Sequence, residues 1–414
     1  MNSINTYIEI AWKSLKQQKS RTILTIAALS IGIALLIIML AAGQGLKSLV
    51  LSQLDIYNPN SIDIEVKVPG KTSTGNATAM ANGTTITTFK NSDVDAIAKV
   101  PNVEYIFSFV TGQEIFKYKN ADKAVLIYGY GAAAPDIQKI DLSDGRFYTA
   151  DEESSLDQVV VLGSKLKETL FGDQEAVGEN VYVKALPFRV VGVVKSQGGG
   201  SFVDLDSIAY IPTKTMQKKI LGTDYVLGAL AQVKDPNKIL ETKDDIQFLM
   251  EERHNITDPD KDDFQLTTMA EARDMIDTIL NGVTLLLVAL TLISLVVGGV
   301  GITNIMYVSV IERTFEIGLR RAVGAKKEDV LWQFLTEAVI LTFFGGVVGI
   351  ILGSAVAFLI YYIAVSFGLP WTYSVSLLSI ALSLVFSGVL GLAFGVYPAR
   401  QAANLDPIAA LKKD

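Results

Sequence analysis

The sequence predicts a membrane protein: four transmembrane α-helices with a large α+β extracytoplasmic domain inserted between the first and second helices. Three observations carry that prediction. Half of the 414 residues are hydrophobic, mean hydropathy is +0.36 and 19% of residues are charged, a balance too apolar for an ordinary soluble domain. The charges are clustered: residues 22–46, 278–311 and 338–399 contain none, runs of 25, 34 and 62 residues. Each run exceeds the roughly 20 apolar residues needed to cross a bilayer, and the third is long enough to cross twice. The clusters of basic residues that flank these runs fall on one side.

The first run has the basic lead-in Lys13, Lys16, Lys19 and Arg21. It is longer than the roughly 7–15-residue core of a signal peptide, so despite "LAAG" at 40–43 it reads as an uncleaved anchor. The third run is broken by "SFGLPWTYS" around Pro370. The resulting division is a cytoplasmic amphipathic segment 1–21, spans at 22–46, 279–309, 333–365 and 377–398, an outer domain at 47–278, a coupling loop at 310–332, an outer loop at 366–376 and a tail at 399–414. Arg313, Arg320, Arg321, Lys326 and Lys327 lie between spans two and three, and Arg400, Lys412 and Lys413 follow span four. The positive-inside rule then places both termini and the 310–332 loop in the cytoplasm of a multi-pass cell (inner or cytoplasmic) membrane protein. Residues 51–280 hold 23 basic and 35 acidic residues, a net of −12, which leaves +5 for the remainder of a chain whose total is −7. Neither part has the basic excess of a nucleic-acid binder.

The outer domain alternates between strand and helix patterns and reads as two lobes. Strand-like runs rich in β-branched residues are 158–163, 180–183, 188–194, 207–212 and 227–233. Helical stretches are 92–99, capped by Asn91 or Ser92, and 236–253, with Ile239, Ile246 and Leu249 on one face. The polar stretches 69–89 and 197–201 read as loops.

Several short motifs mimic chemistry. Gly70-Lys71-Thr72 ends like a phosphate-binding loop, yet its first glycine position is Glu65. "GYGAAA" at 129–134 lacks the last glycine of a dinucleotide fingerprint and reads as a loop. "DPDKDD" at 258–263 opens like a calcium loop, but position six is Asp263 and position twelve Met269. It reads as a solvated turn, and His254 as a surface histidine. With no cysteine and one histidine, neither a disulfide nor a multi-histidine metal or triad site can be built. No catalytic residue and no metal site are assigned. Asn304, near the end of span two, reads as structural. Gly345, Gly349 and Gly353, and again Gly391 and Gly395, recur every four residues, a spacing that lets helices approach closely within one subunit or between two.

The loop sequence "IERTFEIGLRRAVGAKKEDV" (311–330) is the most informative stretch. Phe315, Leu319, Ala322 and Val323 follow helical spacing and make one apolar stripe. Glu316 and Arg320 are a favourable pair one turn apart, and Gly324 is placed to stop the helix. Such a helix can lie on anionic membrane lipids or dock into a groove on a partner.

The segment "ERTFEIGLRRAVGA" resembles the coupling segment of the MacB/FtsX/LolC-type ABC transporter permease family. "SLKQQKSRTILTIAALSIGIA" at the start is similar to that family's first span. "LSDGRFYTADE" (142–152), "VVVLGSKLKETLFG" (159–172), "VGENV" (177–181), "VVGVV" (190–194), "AYIPTKT" (209–215) and "RHNITDPDKDDFQLTT" (253–268) resemble its extracytoplasmic domain, a MacB-like periplasmic core domain. "QFLTEAVILTFFGGVVGIILG" (333–353) and "FGVYPARQAANLDPIAALK" (394–412) resemble its third span and tail. The resemblance implies a permease subunit of a MacB-type exporter of peptides, antibiotics or lipidic envelope substrates, not itself an enzyme. It implies a separate cytoplasmic ABC ATPase subunit, because no phosphate-binding loop precedes residue 22, with ATP-Mg bound there and no cofactor on this chain. A homodimer and an extracytoplasmic adaptor (membrane fusion) protein are further implied partners. The coupling residues it assigns are Glu312, Arg313, Phe315, Glu316, Ile317, Gly318, Leu319, Arg320, Arg321, Ala322, Val323, Gly324 and Ala325. The alternative is an FtsX-like signalling subunit that activates cell-wall hydrolases.

Overall fold

The computed structural model describes residue 11 and residues 19–70, 85–196 and 204–411. Most of the N-terminal segment, the centre of the polar stretch 69–89 and the 197–201 loop therefore lie outside the described residues. Two compact units are present. One comprises residues 1–49, 277–366 and 370–414; the other comprises residues 50–276 and 367–369.

The chain enters through α1 (Lys19–Ser52), 34 residues and so about 50 Å long at 1.5 Å per residue. The outer unit follows. Its strands are β1 (Ser61–Val66), β2 (Val103–Tyr118), β3 (Ala121–Tyr130), β4 (Leu142–Gly145), β5 (Val159–Leu162), β6 (Asn180–Val183), β7 (Leu186–Val194), β8 (Ala209–Pro212), β9 (Gly228–Val233) and β10 (Phe264–Thr268). Its helices are α2 (Asn91–Ile97), α3 (Ala134–Ile137), α4 (Ala150–Ser154), α5 (Ser164–Phe171), α6 (Thr213–Thr215, continued by a π-helical turn to Leu221) and α7 (Ile239–His254).

The strands form one mixed sheet in the order β10-β1-β9-β2-β3-β8-β5-β7-β4, with β6 pairing β2 and β7. This unit has one sheet with a hydrophobic core on each face. Side-chain alternation produces that arrangement. On β5, Val160 and Leu162 enter one core while Val159 and Val161 enter the other. On β9, Ala229 and Ala231 face the first and Leu230 the second. The second core is aromatic: the rings of Phe107, Tyr130 and Tyr210 follow one another with centroids 5.0 and 5.4 Å apart.

Four expectations are corrected here. The N-cap of α2 is Lys90, neither Asn91 nor Ser92: the Asp93 carboxylate reaches back to accept the Lys90 N–H at 2.9 Å. The "GYGAAA" stretch is not all loop, because Gly129 and Tyr130 finish β3 and Ala134 opens α3. Phe89, at the end of the polar stretch, is fully buried in the first core. The turn at 258–263 is solvated over its first four residues, but Asp262 and Asp263 are buried.

Asp263 is buried with His254, which is no surface residue: its side chain is 8% exposed. Nδ1 lies 2.8 Å from Asp263 Oδ1 and Nε2 lies 3.5 Å from Asp93 Oδ2. Arg253 donates from Nε to the other Asp93 oxygen at 2.7 Å. The Asp263 and Asp93 carboxylates raise the His254 pKa to about 9 against the effect of burial. Burial alone would raise the Asp93 carboxyl, but the His254, Lys90 and Arg253 hydrogen bonds overcome it and hold the pKa at about 2. This cluster pins α2, α7 and the approach to β10 together.

The other unit is helical. It contains α1, α8 (Met269–Glu312), α9 (Thr314–Ala322), α10 (Lys327–Ser366), α11 (Leu377–Ala403) and α12 (Pro407–Leu411). Four of these, α1, α8, α10 and α11, are long and apolar enough to cross a membrane, which makes the chain a membrane protein. They outrun the expected spans. α8 begins ten residues before 279, directly after β10, and α10 begins at Lys327 rather than 333, because helix continues while polar side chains can reach water. Gly345, Gly349 and Gly353 face α1 within the same chain: a Cβ at Gly349 would stand 2.7 Å from the Ser30 carbonyl oxygen, and one at Gly353 2.8 Å from that of Ala34. Gly391 and Gly395 abut Thr342 and Ala338 of α10. All five thus serve packing between helices of one chain, as small residues do where backbones close up. Asn304, expected to be structural, is exposed on α8.

Candidate coupling site

The 310–332 segment folds as a helix break, a short helix and a second start. α8 ends at Glu312, and α9 spans nine residues from Thr314. Gly324 follows with φ +112°, a left-handed conformation that glycine adopts without strain, and the chain turns into α10. The start of α10 is closed by the Lys326 N–H donating to Asp329 Oδ2 at 2.9 Å, with Glu328 and Asp329 in its first turn, where acidic groups favour the helix dipole.

α9 has two unlike sides. Ile317 and Gly318 are buried. A Cβ on Gly318 would stand 2.6 Å from Ala410 Cβ, so α9 seats against the tail helix α12 at the one place where the absence of a side chain permits it. Ile317 enters a core with Val310, Phe334, Leu335 and Ala402. These two residues, assigned to the coupling segment by the resemblance, fix the helix in place. Phe315, Leu319 and Val323 point away and are 57%, 48% and 83% exposed; Ala322, Glu312 and Gly324 are exposed beside them. Three large apolar side chains in line on this short helix and its C-cap form an apolar surface that is uncovered among the described residues.

The charged residues brace that surface. Arg320 donates from NH2 to Glu316 Oε1 at 2.5 Å, the predicted pair, and from NH1 to Gln333 Oε1 on α10 at 2.8 Å. Arg321 donates to the Ala325 carbonyl at 3.3 Å. Arg313, the residue before α9, lies with NH1 3.5 Å from Glu337 Oε2 of α10, both side chains nearly buried. The sequence flagged Arg313 but not its partner. Glu337 is the last charge before the 62-residue uncharged run, and that position was the available signal.

The comparisons agree with this architecture. The pattern of the MacB-like periplasmic core domain matches residues 22–249, and that of the FtsX-like permease C-terminal domain matches residues 288–407. The chain belongs to the MacB-like permease family of ABC transporters. Among its relatives is a macrolide export ATP-binding/permease protein MacB of Wolinella succinogenes, 33% identical over 98% of this chain and 60% of the relative. Another is a pyoverdine export ATP-binding/permease protein PvdT of Pseudomonas syringae pv. syringae, 33% identical over 98% of this chain and 59% of the relative. The chain thus spans about 60% of the length of these curated relatives. The periplasmic region of MacB from Actinobacillus actinomycetemcomitans aligns with 55% of this chain and 97% of its own at 22% identity and a TM-score of 0.46.

Proposed function

We propose that this chain is the permease of an ABC exporter in the cytoplasmic membrane, with both termini and α9 in the cytoplasm. ATP-driven motion of a partner ATPase is transmitted through α9 to the spans and the outer unit. The observation that carries the reading is the two-sidedness of α9: one side is locked into this chain by Ile317 and Gly318, and the other offers Phe315, Leu319 and Val323 uncovered. A lipid-facing helix of this kind needs no such fixed seat, whereas a helix that transmits force does. ATP and Mg are bound by the partner, and two copies of the permease face two ATPase subunits. The outer unit, whose residues 50–249 fall within the match to a MacB-like periplasmic core domain, favours export over hydrolase activation. The relatives' printed names support a small-molecule cargo, and an adaptor on the outer unit completes the path.

The test is affinity purification of the chain from native membranes with identification of what stays bound. We expect a P-loop ATPase, lost when Phe315 and Leu319 are both changed to Asp. Burying the exposed halves of these two side chains contributes about 2–3 kcal/mol, so alanine at both positions should weaken docking by up to roughly two orders of magnitude. ATPase retained by the double aspartate variant, or no ATPase at all, refutes the docking role.

A further inference from the structure

The apolar seat of α9 fixes it against the tail helix α12. A link that carries force from α9 into a span must in addition resist separation from α10. Two polar links join α9 to α10. Arg313 at the leading end of α9 reaches Glu337, and Arg320 near its trailing end reaches Gln333. Gln333 and Glu337 lie one helical turn apart and therefore on one face of α10. The two links differ in kind. Arg320 donates to the neutral amide of Gln333 and its side chain is 36% exposed, whereas Arg313 and Glu337 are two charges whose side chains are 13% and 5% exposed.

A surface pair of the first kind contributes little and exchanges readily with water. A buried pair behaves otherwise, because two opposite charges that are little exposed to water separate only at a large cost. Glu337 also stands at the foot of the third span, four residues before Leu341 and beside Phe334 and Ala338 of the buried core. A pull on Arg313 is therefore applied to the span itself rather than to the loop that leads into it.

We propose that the Arg313–Glu337 pair is the joint that makes α9 and α10 one rigid body, so that motion received by α9 becomes tilt of the third span. Both are positioning residues, and the transmission half of this inference rests on the function proposed above. Arg320–Gln333 is a secondary tie that sets the rotation of α9 about that joint.

The chain has no cysteine, so single labels can be placed without removing any. The first measurement needs no ATPase: a spin label at Val323→Cys on the full chain in nanodiscs, with mobility read from the spectrum. We expect Glu337→Gln and Arg313→Gln each to shift the label to a mobile spectrum. The exchanged pair Arg313→Glu with Glu337→Arg should recover at least half of the immobile fraction, and Arg320→Ala should have a lesser effect. An immobile label in both single variants, or mobility that the exchange does not reverse, overturns the joint.

The second measurement uses chain purified with its ATPase and follows the reactivity of Tyr373→Cys, beyond the far end of α10, toward an impermeant maleimide with and without ATP. We expect Glu337→Gln to keep the ATPase bound but to reduce the nucleotide-dependent change in labelling at least fivefold, with recovery in the exchanged pair. An undiminished change in Glu337→Gln overturns the transmission role. Loss of the ATPase from wild-type chain, or a wild-type chain that does not respond to ATP, refutes the proposed function and leaves the spectral test of the joint standing.

Discussion

The single histidine makes one prediction unusually direct. His254 sits between Asp263 and Asp93, and its pKa is raised from 6.5 to about 9. Such a rise corresponds to about 3 kcal/mol of preference for the protonated ring in the folded state. The contribution is fully present below pH 6.5, falls as pH rises, and is gone above pH 9. Asp93 acts in the opposite direction: with its pKa lowered from 3.8 to about 2, its contribution is present above pH 3.8 and is lost as pH falls through 2. Between those limits the cluster is a charged triad joined to Arg253 and holds α2 to α7. The assay is carbon NMR of the full chain in nanodiscs with labelled histidine, which yields a single ring signal and hence one titration. We expect a midpoint near pH 9, lowered by at least one pH unit in Asp263→Asn. Thermal unfolding should show the outer unit losing stability from pH 7 to 9.5, and His254→Gln should abolish that slope. A midpoint near 6.5 would refute the reasoning, because it would mean that the two carboxylates do not hold the ring's charge.

Two other predictions concern the membrane unit and its orientation. Cysteine at Asn120, in the turn between β2 and β3, should react with an impermeant thiol reagent in intact cells, and cysteine at Lys326 should not; the reverse pattern would overturn the proposed topology. Gly349→Val should destabilise the helical unit by about 1–3 kcal/mol through overpacking against α1, whereas Gly388→Val, with no atom within 4 Å of its Cβ, should be close to neutral by thermal unfolding in detergent.

The spans were legible because charge is excluded from a bilayer, and that leaves a mark on every stretch of chain that crosses it. Strands β5 and β7 were legible because their largely buried stretches read as β-branched runs, and β6 because its residues alternate between exposed and buried. β1 was not: "SIDIEV" places Asp63 and Glu65 on one face, and burial raises both carboxyls above their usual range, an environment no local pattern announces. The long β2–β3 hairpin was missed because its turn uses Lys119 at φ 52° where a glycine or asparagine would have been the signal. His254 looked exposed because its neighbours in sequence are acidic and polar, yet Asp93, 161 residues earlier, closes over it. In the coupling segment the stripe and the Glu316–Arg320 pair came from helical period alone. That Ile317 and Gly318 turn inward depends on Ala410 and the tail, a contact that lies outside any local window.

The strands that serve two cores have a consequence for how this domain can change. β5 and β9 send alternate side chains to opposite faces, so neither core can be assembled while the other is absent. Excising one half, or grafting one half from a relative, would strip the remaining half of a wall. We expect the outer unit to melt in a single step and to tolerate exchange between homologues only as a whole. Variation in what it recognises would then accumulate in loops and at sheet edges, where a change on one face is not also a change on the other.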